Sequence, residues 1–382
     1  MRNFRYWLII LCPITALFIH GQPDNNMSLA EIYKNGTVRF IPEVTIDDSS
    51  MPEGIFFESV VRVVCDDDGD VYACDYRAHN IKKFDSSGKY IQTIGREGQG
   101  PGEFKNPYRI AVTNDRLIVM DSGNRRFCAL TLGGEFIKST PILLGELPQK
   151  IMALPNGDIA IEVEKMHYRE PDKPQEYSIE IYSPDLEKKK TIYSQQIWRY
   201  KPVNKEGRFV HMGRPFSPRI CWDVLPKGNI AIGYSKDYKI EIFDSDQGKI
   251  SSFTYEYKPV SVTEKDKEKY FASIGIFAGG EFKMGADEFT RKNAEFPKFK
   301  PAFHQIKVDS EGNILVMAHR KNADEEARFF DAFDDQGNFL GNVKIIGNLG
   351  YPYHADIKDG TFWLARVDEE GLAKIVKYRI SD

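Results

Sequence analysis

Arg62, Arg109, Lys150 and His354 each stand three residues before the end of a short apolar run that closes in a polar turn. In a fifth such run the place belongs to Gln305, with His304 beside it, and in a sixth Arg219 lies two residues further back. Bases and imidazoles at one repeated position do chemistry only if the fold gathers them. Gathered, Arg62, Arg109, Lys150, Arg219, His304 and His354 would form a positive ring that attracts an anion. Convergent polar groups in a concavity are the usual form of a binding site. The competing reading is structural: positions facing a wet channel are polar because they meet water, and arginines there pair with nearby carboxylates.

Other chemistries find weaker support. The stretch Ile94–Val112, "IGREGQGPGEFKNPYRIAV", is rich in glycine, but after Gly98 and Gly100 the third position of a dinucleotide loop is Glu103. Strand-like runs follow where that loop requires a helix, and no phosphate-binding lysine is in place. "DDDGD", Asp66–Asp70, invites a calcium loop, yet with Gly69 as the loop glycine the first ligand would be Val64, which cannot coordinate. No G-x-S-x-G, H-E-x-x-H or cysteine–histidine pair is visible. His79, His167 and His211 fall in loops or connections.

The elements that would position the cationic series form a repeat. "VVCDDDGDVYACD" (Val63–Asp75), "IAVTNDRLIVMD" (Ile110–Asp121), "IMALPNGDIAIEV" (from Ile151), "WDVLPKGNIAIGY" (from Trp222), "IKVDSEGNILVMA" (from Ile306) and "ADIKDGTFWLARV" (from Ala355) share one form. Each is an apolar strand, a polar turn and a second alternating strand. Gly69, Gly157, Gly228, Gly312 and Gly360 mark five of the turns, as hairpins with glycine in the loop do. A second hairpin follows in most copies. Six copies of a four-stranded unit predict an all-β fold, a six-bladed β-propeller with four-stranded antiparallel blades, because radial stacking buries the apolar faces between neighbours. The first strand of each blade would then line the central channel and bring the cationic series to one mouth.

The copies are uneven. Glu164–Gln175 lengthens one hairpin, Trp198–Pro218 reads as an irregular connection, and Val262–Lys300 as an insertion. Its first half, Thr263–Phe277, reads as helical: Thr263 and Asp266 have capping-box spacing, and Tyr270, Phe271, Ile274 and Phe277 share a face. The last copy lacks a strand, and the upstream run Thr37–Ile46 belongs to no complete copy. It is therefore expected to close the ring as the outer strand of the last blade.

"GREGQGPGEFKNPYRIAV", "DRLIVMDSGNRRF" and "GGEFIKS" together resemble the NHL-repeat propellers, whose repeats run from a glycine-rich loop through Phe and Pro to Asp-x-x-Asn-Arg. The clear match covers Val63–Ser139; beyond it the likeness is one of strand pattern. More broadly, the chain resembles a large bacterial group of exported six-bladed propellers without assigned activity. The resemblance implies that Asp121 and Asn124, with Asp75 at the equivalent place, hold their blades together. It also supplies an alternative function. Some such propellers are metal-dependent lyases with three channel histidines, and related folds are lactonases. Here only His304 and His354 start inner strands, and a third ligand would have to come from a Lys or Arg position.

The sequence has 382 residues, with 52 Lys plus Arg against 56 Asp plus Glu, so nothing points to a nucleic-acid partner. Arg2 and Arg5 precede the apolar run Tyr6–Ile19, which is short for a membrane span and suits a secretory signal over residues 1–21. An uncleaved anchor is the alternative. Residues 22–36 are expected as a linker and 37–382 as the propeller. Cys65, Cys74, Cys128 and Cys221 match no disulfide framework or metal motif. The expectation is an exported, monomeric binding module for a protein or a small anion, with no cofactor and no chemistry of its own. A metal-dependent lyase or hydrolase is the runner-up.

Overall fold

The structure is a computed structural model, and it describes residues 27–382 apart from 168–169, 171–172, 206–207, 279–280, 320–327, 347–356, 358–359 and 369. Five blades of four antiparallel strands follow one another along the chain. Their inner strands are Val60–Cys65, Pro107–Val112, Glu146–Ala153, Ile220–Val224 and Phe303–Val308. The sixth blade contributes Thr361–Val367 and Ala373–Ser381, and Thr37–Ile46 pairs antiparallel with the latter from Arg39↔Ser381 to Ile46↔Ile375. The start of Thr37–Ile46 also runs parallel to the outer strand of blade five, from Thr37↔Lys344 to Arg39↔Ile346, so the last two blades form one continuous sheet.

Alternation along the strands assigns each face to one neighbour. In blade two, Leu117 and Val119 pack with Tyr72, Cys74 and Ile81 of blade one. The intervening Ile118 and Met120 pack with Ile151, Ile159 and Ile161 of blade three. Two-sided burial of this kind explains why the second strands read as nearly continuous apolar runs. Further buried clusters join blades three and four, four and five, and five and six. The ring closes where Ile46, Trp363 and Ile375 meet Val63, Val71 and Phe84.

Three segments differ from the reading of the sequence. Of the expected linker 22–36, residues 27–36 are described, and they are not merely a linker. Leu29–Lys34 is a helix with a Ser28–Glu31 capping box, and it buries Leu29, Ile32 and Tyr33 in the cluster between blades five and six. Glu311 accepts from the backbone amides of Leu29 and Ala30, satisfying donors that helix geometry leaves open. Trp198–Pro218 is more regular than expected and contains the hairpin Tyr200–Lys205 with Arg208–Gly213. In the insertion the capping box at Thr263–Asp266 is present, but the helix stops at Ser273. Ile274 is extended there, and Gly275–Ala278 enters a short hairpin, so Ile274 and Phe277 do not continue the helical face. A β-branched residue followed by glycine favours this exit over another turn. Tyr270, Phe271, Phe296 and Phe216 pack on one another, and none belongs to the cluster between blades four and five.

Candidate functional site

In four blades the inner strand carries the same irregularity. Its register skips one residue at Val61, Tyr108, Gln149 and His304, directly before Arg62, Arg109, Lys150 and Gln305. A bulge adds a residue to one strand and re-aims the side chains around it. From Arg62, Arg109, Lys150 and Gln305 onward the strands are regularly paired, and the next residues, Val63, Ile110, Ile151 and Ile306, are buried between blades.

The result is a cavity of about 360 Å³ lined by Arg62, Arg109, Lys150, Arg219 and His304, together with Gln149, Gln305, Glu162 and Trp222. Five of the six positions read from the sequence therefore meet at one mouth. His354 lies outside the described residues. Towards the other end of the channel a second cavity, about 530 Å³, is lined by strand ends and turns that include Asp66, Asp309 and Thr113. Arg62 and Ile151 border both cavities and mark the layer between them.

The cations are not equivalent. The Lys150 ammonium donates to the Trp222 carbonyl and to Asp223 Oδ1 at 3.2 Å, and it sits 4.4 Å above the Trp222 ring. Lys307 Nζ lies 3.1 Å from Asp223 Oδ2, with both side chains 2% exposed, and the Val308 amide donates to the same oxygen. Burial alone would raise the Asp223 pKa, but Lys150 and Lys307 hold it below the usual carboxylate range. Two of Lys150's donors are thus spent on the scaffold. Arg62 is buried. The Arg109 guanidinium stacks 3.9 Å from the Tyr108 ring and donates through Nε to the Gln149 carbonyl. Arg219 is exposed at the rim.

Sequence reading missed Glu162, Trp222, Asp223 and Lys307. A signal was available for two of them. Asp223 and Lys307 stand one residue before the end of their apolar runs, where blades one to three carry Val64, Ala111 and Met152. Glu162 lies on the second strand of blade three, opposite Lys150 in register, a position for which inner-strand spacing gives no cue.

His319 was also missed. Its ring lies 5.0 Å from that of His304. Burial pulls its pKa down to about 4; Lys300 and Arg219 act in the same direction and Asp266 opposes them. A histidine that titrates near 6.5 when unfolded but near 4 when folded takes up its proton first in the unfolded chain. Its contribution is complete above pH 6.5 and is lost as pH falls towards 4. By pH 5 the loss is about 2 kcal/mol. Urea denaturation at pH 7 and pH 5 should show this loss in the parent and not in His319→Asn. Equal losses in the two proteins would refute the assignment.

The turns keep their structural reading. Asp66 accepts from the Asp70 amide and the Tyr72 hydroxyl. Asp121 accepts from the Lys105 amide, Asn124 and Arg126, and Arg126 in turn donates to the carbonyls of Gln99, Gly100 and Glu103. The glycine-rich stretch is thereby tied to blade two. Asp75 receives the amides of Glu58 and Ser59 in the same way. Cys74, Cys128 and Cys221 are buried thiols whose pKa values burial raises. Among the described residues no group of three or more His, Cys, Asp or Glu is placed to hold a metal ion.

The model of the DUF5128 family, described as a 6-bladed β-propeller, matches residues 22–212. The chain belongs to this family. A propeller of Bacteroides fragilis NCTC 9343 described as an exported protein is 12% identical, with a TM-score of 0.52 over 94% of this chain and 98% of that one. A member of the duf4221 family from Bacteroides vulgatus ATCC 8482 is 10% identical, with a TM-score of 0.50 over 91% and 99%. At such identities the likeness is one of fold. A comparison with curated proteins found no match. Among the described residues of this propeller, no helix is long and apolar enough to cross a membrane.

Proposed function

We propose that this DUF5128 propeller is an exported binding module that captures an anionic ligand at the channel mouth. The observation that carries the reading is the convergence of Arg62, Arg109, Lys150, Arg219 and His304 on one cavity, in a chain whose net charge is −4. A local positive field inside low-dielectric walls concentrates anions even when the whole protein repels them weakly. Export is supported by the basic start and short apolar run before Gly21. The NHL-like reading is supported by blades one and two, where Asp75 and Asp121 hold backbone amides of the preceding connection.

Arg109 and Arg219 are the positions to change, since Lys150 is held by Asp223 and Arg62 is buried. The test uses protein recovered from the envelope of expressing cells, with its mature N-terminus located by mass spectrometry. Titration with succinate by calorimetry should show binding that weakens as salt rises from 0.05 to 0.5 M, because exposed charges are screened over about 10 Å at 0.1 M. Arg109→Gln combined with Arg219→Gln should abolish that binding at an unchanged melting temperature. Binding that survives the double replacement, or that ignores salt, would overturn the reading. An N-terminus at Met1 would overturn cleavage.

A further inference from the structure

Glu162 is the exception in the cationic mouth. Its Oε2 accepts from the Trp222 indole nitrogen at 2.8 Å, and that is the one hydrogen bond its carboxyl makes among the described residues. Within the same residues it forms no ion pair, although Arg62, Arg109, Lys150 and Arg219 line the same cavity. The nearest charged neighbour on the facing strand, Lys150, has turned its ammonium to Asp223 and the Trp222 carbonyl. The acidic group beside it on its own strand, Glu164, is engaged by Gln149 and Arg199. A carboxyl in a concave wall of bases, anchored through one oxygen only, leaves an acceptor facing whatever fills the space.

A simple anion gives that acceptor nothing to bind. A ligand with a hydrogen-bond donor next to its anionic group does, and the surrounding guanidiniums disfavour a donor that is itself cationic. A neutral hydroxyl meets both conditions. We propose that the mouth cavity is a site for a small hydroxy-carboxylate, its carboxylate on Arg109 and Arg219 and its hydroxyl on Glu162. The inference rests on the anion-binding reading and adds the chemistry that selects among anions. The cavity volume is at the small end of the range for ligand sites and suits a molecule of few carbons. Burial raises the Glu162 pKa, which supports a setting where Trp222 and the cations do not fully stabilise the carboxylate. Protonated or ionised, the group still offers an oxygen to a hydroxyl.

Three ligands of one carbon skeleton separate the ideas: succinate, malate and aspartate differ only in hydrogen, hydroxyl or ammonium at one carbon. Calorimetry on the full mature chain should rank malate above succinate by about 5-fold or more, the net effect of one added hydrogen bond. Aspartate should rank below malate. In Glu162→Ala and in the near-isosteric Glu162→Met, malate's advantage over succinate should fall to about 1. Folding of either variant suffices, since each removes the acceptor. Equal affinities of malate and succinate in the parent protein would overturn the hydroxyl assignment while leaving anion capture standing. A preference for malate that survives both replacements would place the acceptor elsewhere and also overturn it. Failure of all three ligands to bind would instead overturn the anion reading beneath it.

Discussion

Removing every residue up to Asp47 should leave a protein that does not fold to a soluble monomer. The deletion takes away the helix Leu29–Lys34 and the strand Thr37–Ile46. With them go Leu29, Ile32, Tyr33 and Val38 from the core between blades five and six, and Ile46 from the core between blades six and one. Tyr33, Val38 and Ile46 are fully buried. At roughly 1.5–3 kcal/mol for each buried apolar side chain, five such losses come to about 10 kcal/mol. That is on the order of the entire stability of a typical domain. Two edges would open as well, along Ala373–Ser381 and the end of Phe339–Ile346, and an unpaired strand edge is a template for aggregation. Circular dichroism and size-exclusion chromatography of the truncated chain decide the matter. A monomer with the parent's melting temperature would show that Thr37–Ile46 is an accessory and not the closure.

Replacing Asp223 with Ala should cost about 3–5 kcal/mol, the range for breaking a buried ion pair by removing one partner. The carboxylate holds two ammonium groups, Lys150 at 3.2 Å and Lys307 at 3.1 Å, and accepts from the Val308 amide. Lys307 is 2% exposed, so without Asp223 its charge has no counter-ion among the described residues and almost no contact with water. The penalty therefore comes from the stranded charge more than from the lost attraction. Asp223→Leu combined with Lys307→Met should accordingly recover much of the loss, because well-packed apolar groups often equal a buried pair. Urea denaturation of the three proteins measures both effects. A loss below about 1 kcal/mol for Asp223→Ala would mean that the lysines find other partners. The mouth should suffer too, since Lys150 is positioned through the same carboxylate.

The blade architecture was legible because it is written in short-range patterns. Apolar alternation of period two, with Gly69, Gly157, Gly228 and Gly312 at positive φ in the hairpin turns, recurs often enough to count the blades. Arg62, Arg109 and Lys150 were legible for the same reason: a residue at one fixed place in a repeat lands at one fixed radius in a ring. The helix Leu29–Lys34 was less visible, being six residues long and stabilised by burial against blades five and six more than by its own propensity.

What each base does at the mouth was decided by tertiary contacts. Lys150 and Arg109 occupy the same repeat position, yet Lys150 is tied to Asp223, 73 residues away, while Arg109 lies on Tyr108 beside it. Glu162 owes its place to Trp222, 60 residues on, whose indole fixes one oxygen. The sequence determined which residues share a face and a radius, because strand periodicity is local and side-chain period is fixed by the backbone. Only the closed ring decided which charges neutralise one another and which remain turned to the cavity. Pairing depends on a few ångströms of distance and on burial between neighbouring blades, and neither is encoded in the spacing of residues along the chain.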